Sequence, residues 1–425
     1  MSVVETAGWR VPGRIEVLGK HTDYAGGNVL VCAATQAVTA VARPLRGAGM
    51  DVGLVARSAA FPGSVTLVPG RVPHLPAGHW GRYVATAWQR LRANFGELPP
   101  AELTFSSDLP LASGMSSSSA LVVASALALA DLAGLRSTGL WASELGEDRL
   151  AWASYLASVE NGSTFRSLVG QAGVGTRGGS EDHTGMLCSR PAHLGQFGFD
   201  PVARHRHVPL PDGYVFVVAV SGVSAEKTGA ALADYNRASD ATTTALAEWN
   251  VATGRADRSL AAAVRSTPES LGRLMALLDD ELRTRVDHFV QESELFVPAA
   301  ADALDRGDLA GFGAVVADSQ LLAETLLGNQ VPETVALAAS ARTLGAVAAS
   351  AFGAGFGGSV WALVPRSDAD AFAAAWLARY TRDFPARAGA ASVIVTEADR
   401  AAEPLRVADL VDASPAPRAG VRRAE

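Results

Sequence analysis

The stretch GRIEVLGKHTDYAGG, residues 13–27, follows an alternating strand-like run with a lysine, a histidine and an aspartate inside glycine punctuation. Ile15, Val17 and Leu18 read as strand residues, and the glycines that follow mark a turn. A turn that carries Arg14, Lys20, His21, Asp23 and Tyr24 within eleven residues is rich in groups that bind polar ligands. A second reading stays open, in which Tyr24, Gly26 and Gly27 only build the turn.

The rest of the chain bounds what that turn can serve. At 425 residues the chain has room for two or three domains. Hydrophobic residues make up 48% and charged residues 19%, the balance of a globular protein. A formal net charge of −7 argues against nucleic acid as a partner. The longest apolar run, ALVVASALALADLAGL at 120–135, is interrupted by Asp131 and is short for a membrane span, so it reads as a buried helix. Two cysteines far apart, Cys32 and Cys188, fit a reduced, cytoplasmic setting, and no signal-peptide pattern opens the chain.

Short β-rich runs at 38–45, 51–57, 64–69 and 102–110 surround a helix at 79–96, where Val84, Ala87, Trp88 and Leu91 share a face. A helix over 148–161 then precedes a glycine-rich segment, 162–179. A second half opens at 208–222 with a turn and a strand, followed by helical patterns at 225–250, 259–279, 283–306 and 333–346. A strand at 359–365, a helix at 367–384 with Ser367 as its N-cap, and a strand at 391–398 close a β-α-β unit. The expected division is a lobe over 1–205, a second over 206–400, and a disordered Pro/Ala/Arg-rich tail over 411–425.

Two further glycine-rich stretches matter. DLPLASGMSSSSALVVA, 108–124, places small residues before a helix, so backbone N–H groups and the positive helix end can hold an anion. The alternative is an ordinary helix cap. FGAGFGGSVWALV, 352–364, runs a glycine loop into a strand, either for close approach to a ligand or as a tight turn beneath a sheet. Between them, VGTRGGSEDHTGML, 174–187, sets Glu181, Asp182 and His183 after two glycines, where a carboxylate can orient or deprotonate a hydroxyl.

Taken in order, GRIEVLGKHTDYAGG, LPLASGMSSSSA and GAGFGGS resemble the three motifs of the GHMP kinases, over about residues 11–365. Within that superfamily they look most like galactokinases, whose first motif reads approximately G-R-V-N-L-I-G-E-H-T-D-Y. The resemblance implies an α+β, two-lobed fold: an N-terminal lobe like ribosomal protein S5 domain 2 and a C-terminal ferredoxin-like lobe, with ATP and sugar between them. It implies an ATP- and Mg²⁺-dependent phosphotransferase acting on the anomeric hydroxyl of galactose or a related sugar. Two alternatives remain: a kinase for a uronic acid or another modified sugar, and a catalytically silent sugar-and-ATP sensor.

By the same resemblance Arg14 lies beside the transferring phosphate, and Asp182 matches the aspartate of the family's G-I-M-D-Q, as base or orienter of the sugar hydroxyl. Ser117 matches a Mg²⁺ ligand and Glu160 a second Mg²⁺-associated carboxylate, although the interval from Glu160 to Asp182 is longer than in the family. Ser113, Gly114, Ser116, Ser117 and Ser118, with Gly355 of the third motif, would line the nucleotide. His21, Asp23, Tyr24, Gly179 and Tyr235 would meet the sugar. Lys20 stands where the family has a hydroxyl-accepting glutamate. A lysine cannot accept, so either the substrate carries an anion there or Lys20 pairs with a protein acid.

Overall fold

The computed structural model describes residues 5–47, 51–71, 74–76, 78–110, 113–224 and 232–406. Expectations for the 411–425 tail, for the start of the 225–250 helix, and for Leu111 and Ala112 lie outside the described residues.

Among the described residues twelve strands form two sheets. In chain order they are β1 (Ala7–Leu18), β2 (Asn28–Pro44), β3 (Leu54–Ser58), β4 (Ser64–Leu67), β5 (Ala101–Ser107), β6 (His193–Phe199), β7 (Val202–Pro209), β8 (Tyr214–Val220), β9 (Ala348–Phe352), β10 (Ser359–Pro365), β11 (Ser392–Thr396) and β12 (Glu403–Pro404). The first sheet runs β12-β1-β2-β5-β3-β4, and the β6–β7 hairpin joins it along the first residues of β2. β2 is long because GNVLVCAATQAVTAVARP has no breaker until Pro44. Its start pairs with β6 and its end with β5. The hairpin has no clear sequence signal, because HLGQFGFDPVARHRHVP mixes glycine and charge with apolar residues and gives no clean alternation.

The second sheet has the order β11-β8-β10-β9 with every pairing antiparallel. Numbered within that sheet the order is 4-1-3-2, the ferredoxin-like arrangement, so β10, the Ala369–Asp383 helix and β11 form a split β-α-β unit around β8. The boundary between the two sheets falls at residues 210–213. The crossing is not one-way: β12 returns to pair with β1, and Arg149 donates to the Ala402 carbonyl (3.1 Å).

Among the described residues the Ser117–Leu132 and Glu181–Cys188 helices pack on β1 and β2 of the first sheet, and Gly81–Phe95 and Arg149–Asn161 pack against the Ser117–Leu132 helix. The Ser117–Leu132 helix is apolar nearly all round and is buried nearly all round, as a helix between a sheet and other helices must be. Trp9, Trp88 and Trp152 fill this core. From Leu232 to Thr343 the described chain is mostly helical. The 259–279 pattern is two helices, Leu260–Arg265 and Ser270–Leu277, interrupted at Ser266–Pro268. The Leu309–Leu322 helix, unmarked by amphipathic spacing, packs on β9. Ser367 does not cap the last long helix. It lies in a 3₁₀ turn and its hydroxyl donates to Asp368. Among the described residues no helix is long and apolar enough to cross a membrane, and both cysteines are free.

Trp361, central in the second sheet, is fully buried between Phe216 (5.5 Å, edge-on) and Phe312 (6.5 Å, stacked). Replacing it with alanine leaves a void that β10 cannot close. Trp361→Ala is expected to cost about 3–5 kcal/mol in denaturant unfolding. A cost below about 1 kcal/mol would show that this face of the second sheet is packed less tightly than these ring contacts require.

Candidate active site

β1 ends inside the molecule, and its period-2 geometry sends Arg14 and Glu16 to the same side. That side faces a cleft closed by the Glu181–Cys188 helix, the end of the Arg149–Asn161 helix, and the Gly353–Ala354 turn after β9. Arg14 is 1% exposed. One Nη donates to the Gly114 carbonyl of the Ser/Gly loop (2.5 Å), the other to Asp182 (2.5 Å), and Nε lies 3.8 Å from Glu181. Burial alone would lower its pKa. The carboxylates of Asp182, Glu181 and Glu16 outweigh that and hold it above the usual arginine value.

Asp182 is fixed from its other oxygen too, which accepts from the hydroxyls of Ser116 (2.5 Å) and Ser119 (3.3 Å). Ser116 sits at φ 59°, a left-handed turn that starts the Ser117–Leu132 helix and aims its N-terminus toward this corner. The Ser/Gly loop therefore touches the carboxylate directly. Ser117 and Ser118 are half-buried in the first turn of that helix, and Ser113 donates to the Pro110 carbonyl.

Asp23 accepts from the backbone N–H of Glu181 (3.0 Å) and of Tyr24 (2.8 Å). Its approach explains Gly179: a Cβ there would lie 2.5 Å from the Asp23 carboxylate. His21 bonds through Nδ1 to the Tyr24 hydroxyl (2.9 Å) and through Nε2 to the Ala354 carbonyl (3.0 Å). Tyr235 packs on the His21 ring at 5.2 Å, and burial pushes its phenol well above its ordinary pKa. The residues expected to meet a sugar, His21, Asp23, Tyr24, Gly179 and Tyr235, thus line the cleft with Arg14 and Asp182.

Glu160 lines it as well, with a carboxylate oxygen 3.3 Å from His183 Nε2. The glycine-rich insertion folds back over the end of its helix, where Val174 N–H donates to the Glu160 carbonyl (2.9 Å) and Asn161 donates to Gly178 (2.9 Å). The long interval therefore leaves Glu160 and Asp182 on one cleft. As a hard oxygen donor, Glu160 suits Mg²⁺, and the Ser117 hydroxyl is chemically of the same kind.

Lys20 and Gly355 lie outside the residues that line this cleft. Lys20 is 1% exposed, with Nζ 2.8 Å from the Ser319 hydroxyl and 3.9 Å from Glu292, a carboxylate that is itself fully buried. Glu292 also accepts from the backbone N–H groups of Gly19 and Lys20. The lysine's charge is thus answered within the protein, the alternative in which Lys20 pairs with a protein acid. Gly355 packs on Asn329, whose carbonyl accepts from Phe356 N–H (2.6 Å), while its neighbours Gly353 and Ala354 reach the cleft.

Sequence reasoning missed Arg285, which donates to the His21 carbonyl (2.5 Å) and the Tyr24 hydroxyl (3.0 Å), and Glu292. Both come from distant helical segments with no local motif. It also passed over Glu16, for which a signal existed: an acid two residues after Arg14 on one strand face.

The comparisons with known proteins agree with this geometry. A galactokinase galactose-binding signature matches residues 3–44, a GHMP kinase N-terminal domain matches 82–155, and a GHMP kinase C-terminal domain matches 300–382. The galactokinase of Chloroflexus aggregans is 30% identical over 379 residues, covering 87% of each chain. The chain belongs to the galactokinase family of GHMP kinases. The Roseiflexus galactokinase is 29% identical, over 85% of this chain and 84% of that one. In fold, the chain is similar to Lactococcus lactis galactokinase, solved with galactose, at a TM-score of 0.76 over 94% of this chain and 95% of that one, with 24% identity.

Two properties of this galactokinase-family site can be measured directly. Lys20→Met leaves Glu292 without its cation and is expected to cost about 3–5 kcal/mol of unfolding free energy. A loss within about 1 kcal/mol would show that the pair is not what neutralises Glu292.

Glu16 is buried, which pushes its carboxyl up to about 7, with Arg14 and Lys20 opposing. Its pKa is raised in the folded state, so the folded protein binds its proton more tightly. The penalty is absent below the unfolded pKa near 4.5 and complete above about 7. Glu16→Gln should therefore gain stability relative to wild type on going from pH 4.5 to pH 8, on the order of 3 kcal/mol. Parallel pH profiles of the two proteins would sink this assignment.

Proposed function

We propose that this chain is an ATP-dependent sugar 1-kinase, transferring the ATP γ-phosphate to the anomeric hydroxyl of galactose or a closely related monosaccharide. The observation that carries the reading is the Asp182 carboxylate, held by Arg14 and two loop serines at the edge of a cleft lined by His21, Asp23 and Tyr235. Relatives that match along most of this chain's length are galactokinases, which supports the same reading.

The chemistry follows from the charges. The sugar hydroxyl oxygen attacks the γ-phosphorus, the bond to the ADP oxygen breaks, and the hydroxyl proton leaves toward Asp182. Arg14 holds Asp182 close, and its charge faces the phosphoryl oxygens as they gain negative charge. Gly114, Ser116, Ser117 and Ser118 hold the ATP phosphates at a helix N-terminus, with Ser113 shaping the loop. Ser117 and Glu160 would hold Mg²⁺, which neutralises phosphate charge when bound. His21, Asp23, Tyr24 and Tyr235 position the ring. The two free cysteines accord with a cytoplasmic site of action.

The test is incubation with ATP, Mg²⁺ and galactose, with the product's phosphate position read by NMR. Asp182→Asn should lower kcat by about 10²–10⁴-fold and leave ATP affinity within a few-fold. A folded Asp182→Asn enzyme turning over at the wild-type rate would remove Asp182 from the reaction. Sugar binding with no turnover by the wild type would favour a sensor.

A further inference from the structure

Two side chains of the cleft have no task in the reaction above. Glu16 and Glu181 are 3% and 5% exposed, and both line the cleft. The Oε1 atom of each is buried without a hydrogen-bond partner. A buried carboxylate oxygen left in that state is costly, and fold stability gives no reason to keep two. The family motifs quoted above have asparagine where Glu16 stands and methionine where Glu181 stands, so both changes add an ionisable carboxyl to the same cleft.

The charge around them points one way. Glu16, Asp23, Glu160, Glu181 and Asp182 all line the cleft, and Arg14 is the only lysine or arginine among the described lining residues. Arg14 already serves Asp182 and lies 3.8 Å from Glu181, too far for a hydrogen bond. Lys20, which opposes Glu16 electrostatically, has its ammonium on Ser319 and Glu292. A cation bound among these carboxyls would favour their ionised form, so the cleft suits a cation. Among the described residues no three His, Cys, Asp or Glu side chains converge as ligands for a metal ion, whereas an ammonium needs only two or three oxygens.

Resting on the sugar-kinase reading, we propose that the acceptor is an amino sugar, whose ammonium group is received by Glu16 and Glu181. Glu181 is the chain neighbour of Asp182, and both carboxylates lie against the Arg14 guanidinium. The ammonium therefore sits beside the reacting hydroxyl. For an anomeric hydroxyl that is the 2-position, and a 2-amino-2-deoxyhexose such as galactosamine fits. Burial first and then Glu16 push the Glu181 carboxyl well above the usual carboxylate range. A bound ammonium removes that repulsion.

The experiment compares kcat/KM for galactosamine, galactose and N-acetylgalactosamine in wild type, Glu16→Gln and Glu181→Gln, with ATP and Mg²⁺. The wild type is expected to prefer galactosamine over galactose by about tenfold or more, and the uncharged N-acetyl sugar should not share the preference. Each glutamine variant should reduce the galactosamine-to-galactose ratio by about tenfold or more. Calorimetry with each sugar alone gives the same comparison for binding. A wild type that uses galactose as well as galactosamine overturns the proposal and leaves the kinase reading standing. So does an unchanged ratio in variants that unfold cooperatively. Preferential galactosamine binding with no phosphorylation of any sugar overturns the kinase reading instead. Stoichiometric Mg²⁺ binding without nucleotide, lost in Glu16→Gln, would assign the pair to a metal and overturn the amino-sugar assignment.

Discussion

The Arg14 guanidinium is the point on which the site depends. It takes three segments that are distant in sequence, β1, the Ser/Gly loop at Gly114 and the helix carrying Asp182, and gives each a polar partner. A guanidinium buried to this degree is stable only while its partners stay in place, since removing one partner of a buried pair costs about 3–5 kcal/mol. Geometry and reactivity therefore share a cause. The contacts that make burial of the charge tolerable also set the carboxylate beside the helix N-terminus where phosphate charge would develop.

A second buried charge system joins the two lobes. Glu292, in the turn of π-helix Gln291–Phe296, collects Gly19 N–H, Lys20 N–H and the Ser319 hydroxyl, and carries the ion pair with Lys20. Asn28 donates to the Ser293 carbonyl next door (3.0 Å), and Arg285 holds the His21 carbonyl. The turn after β1 is thus held from the helical segment of the second half. This is why His21 can sit at φ 57°, a conformation a non-glycine residue holds only when its surroundings fix it.

What is legible in the sequence is local. The first motif shows its strand, its turn and its polar load within a single short stretch, so Arg14, His21 and Asp23 stand out from pattern alone. Asp182 is legible by its place after paired glycines. Lys20 is visibly odd, yet its partner lies 272 residues further on, and no pattern in GKH points to Glu292. The β6–β7 hairpin and the Leu309–Leu322 helix escape for a different reason. The first lacks alternation and the second is apolar round most of its circumference, so period carries no signal. In the third-motif loop, Gly353 and Ala354 line the cleft and Gly355 packs on Asn329, a division the run of glycines does not show.

The cleft also shows how function can leave its trace as instability. Lys20 and Glu292 neutralise each other, and Arg14 is answered by Asp182, so each of these buried charges has a structural account. Glu16 does not: burial lifts its carboxyl to about 7, and one oxygen has no partner. A ligand that binds only the folded protein raises its stability in proportion to how well it satisfies such groups. The unligated enzyme thus holds back stability that a cationic ligand would return. An uncharged asparagine–methionine pair at positions 16 and 181 would carry no such penalty and no such preference. The cost and the selectivity therefore arise from the same two carboxylates, so a change that relieves one removes the other.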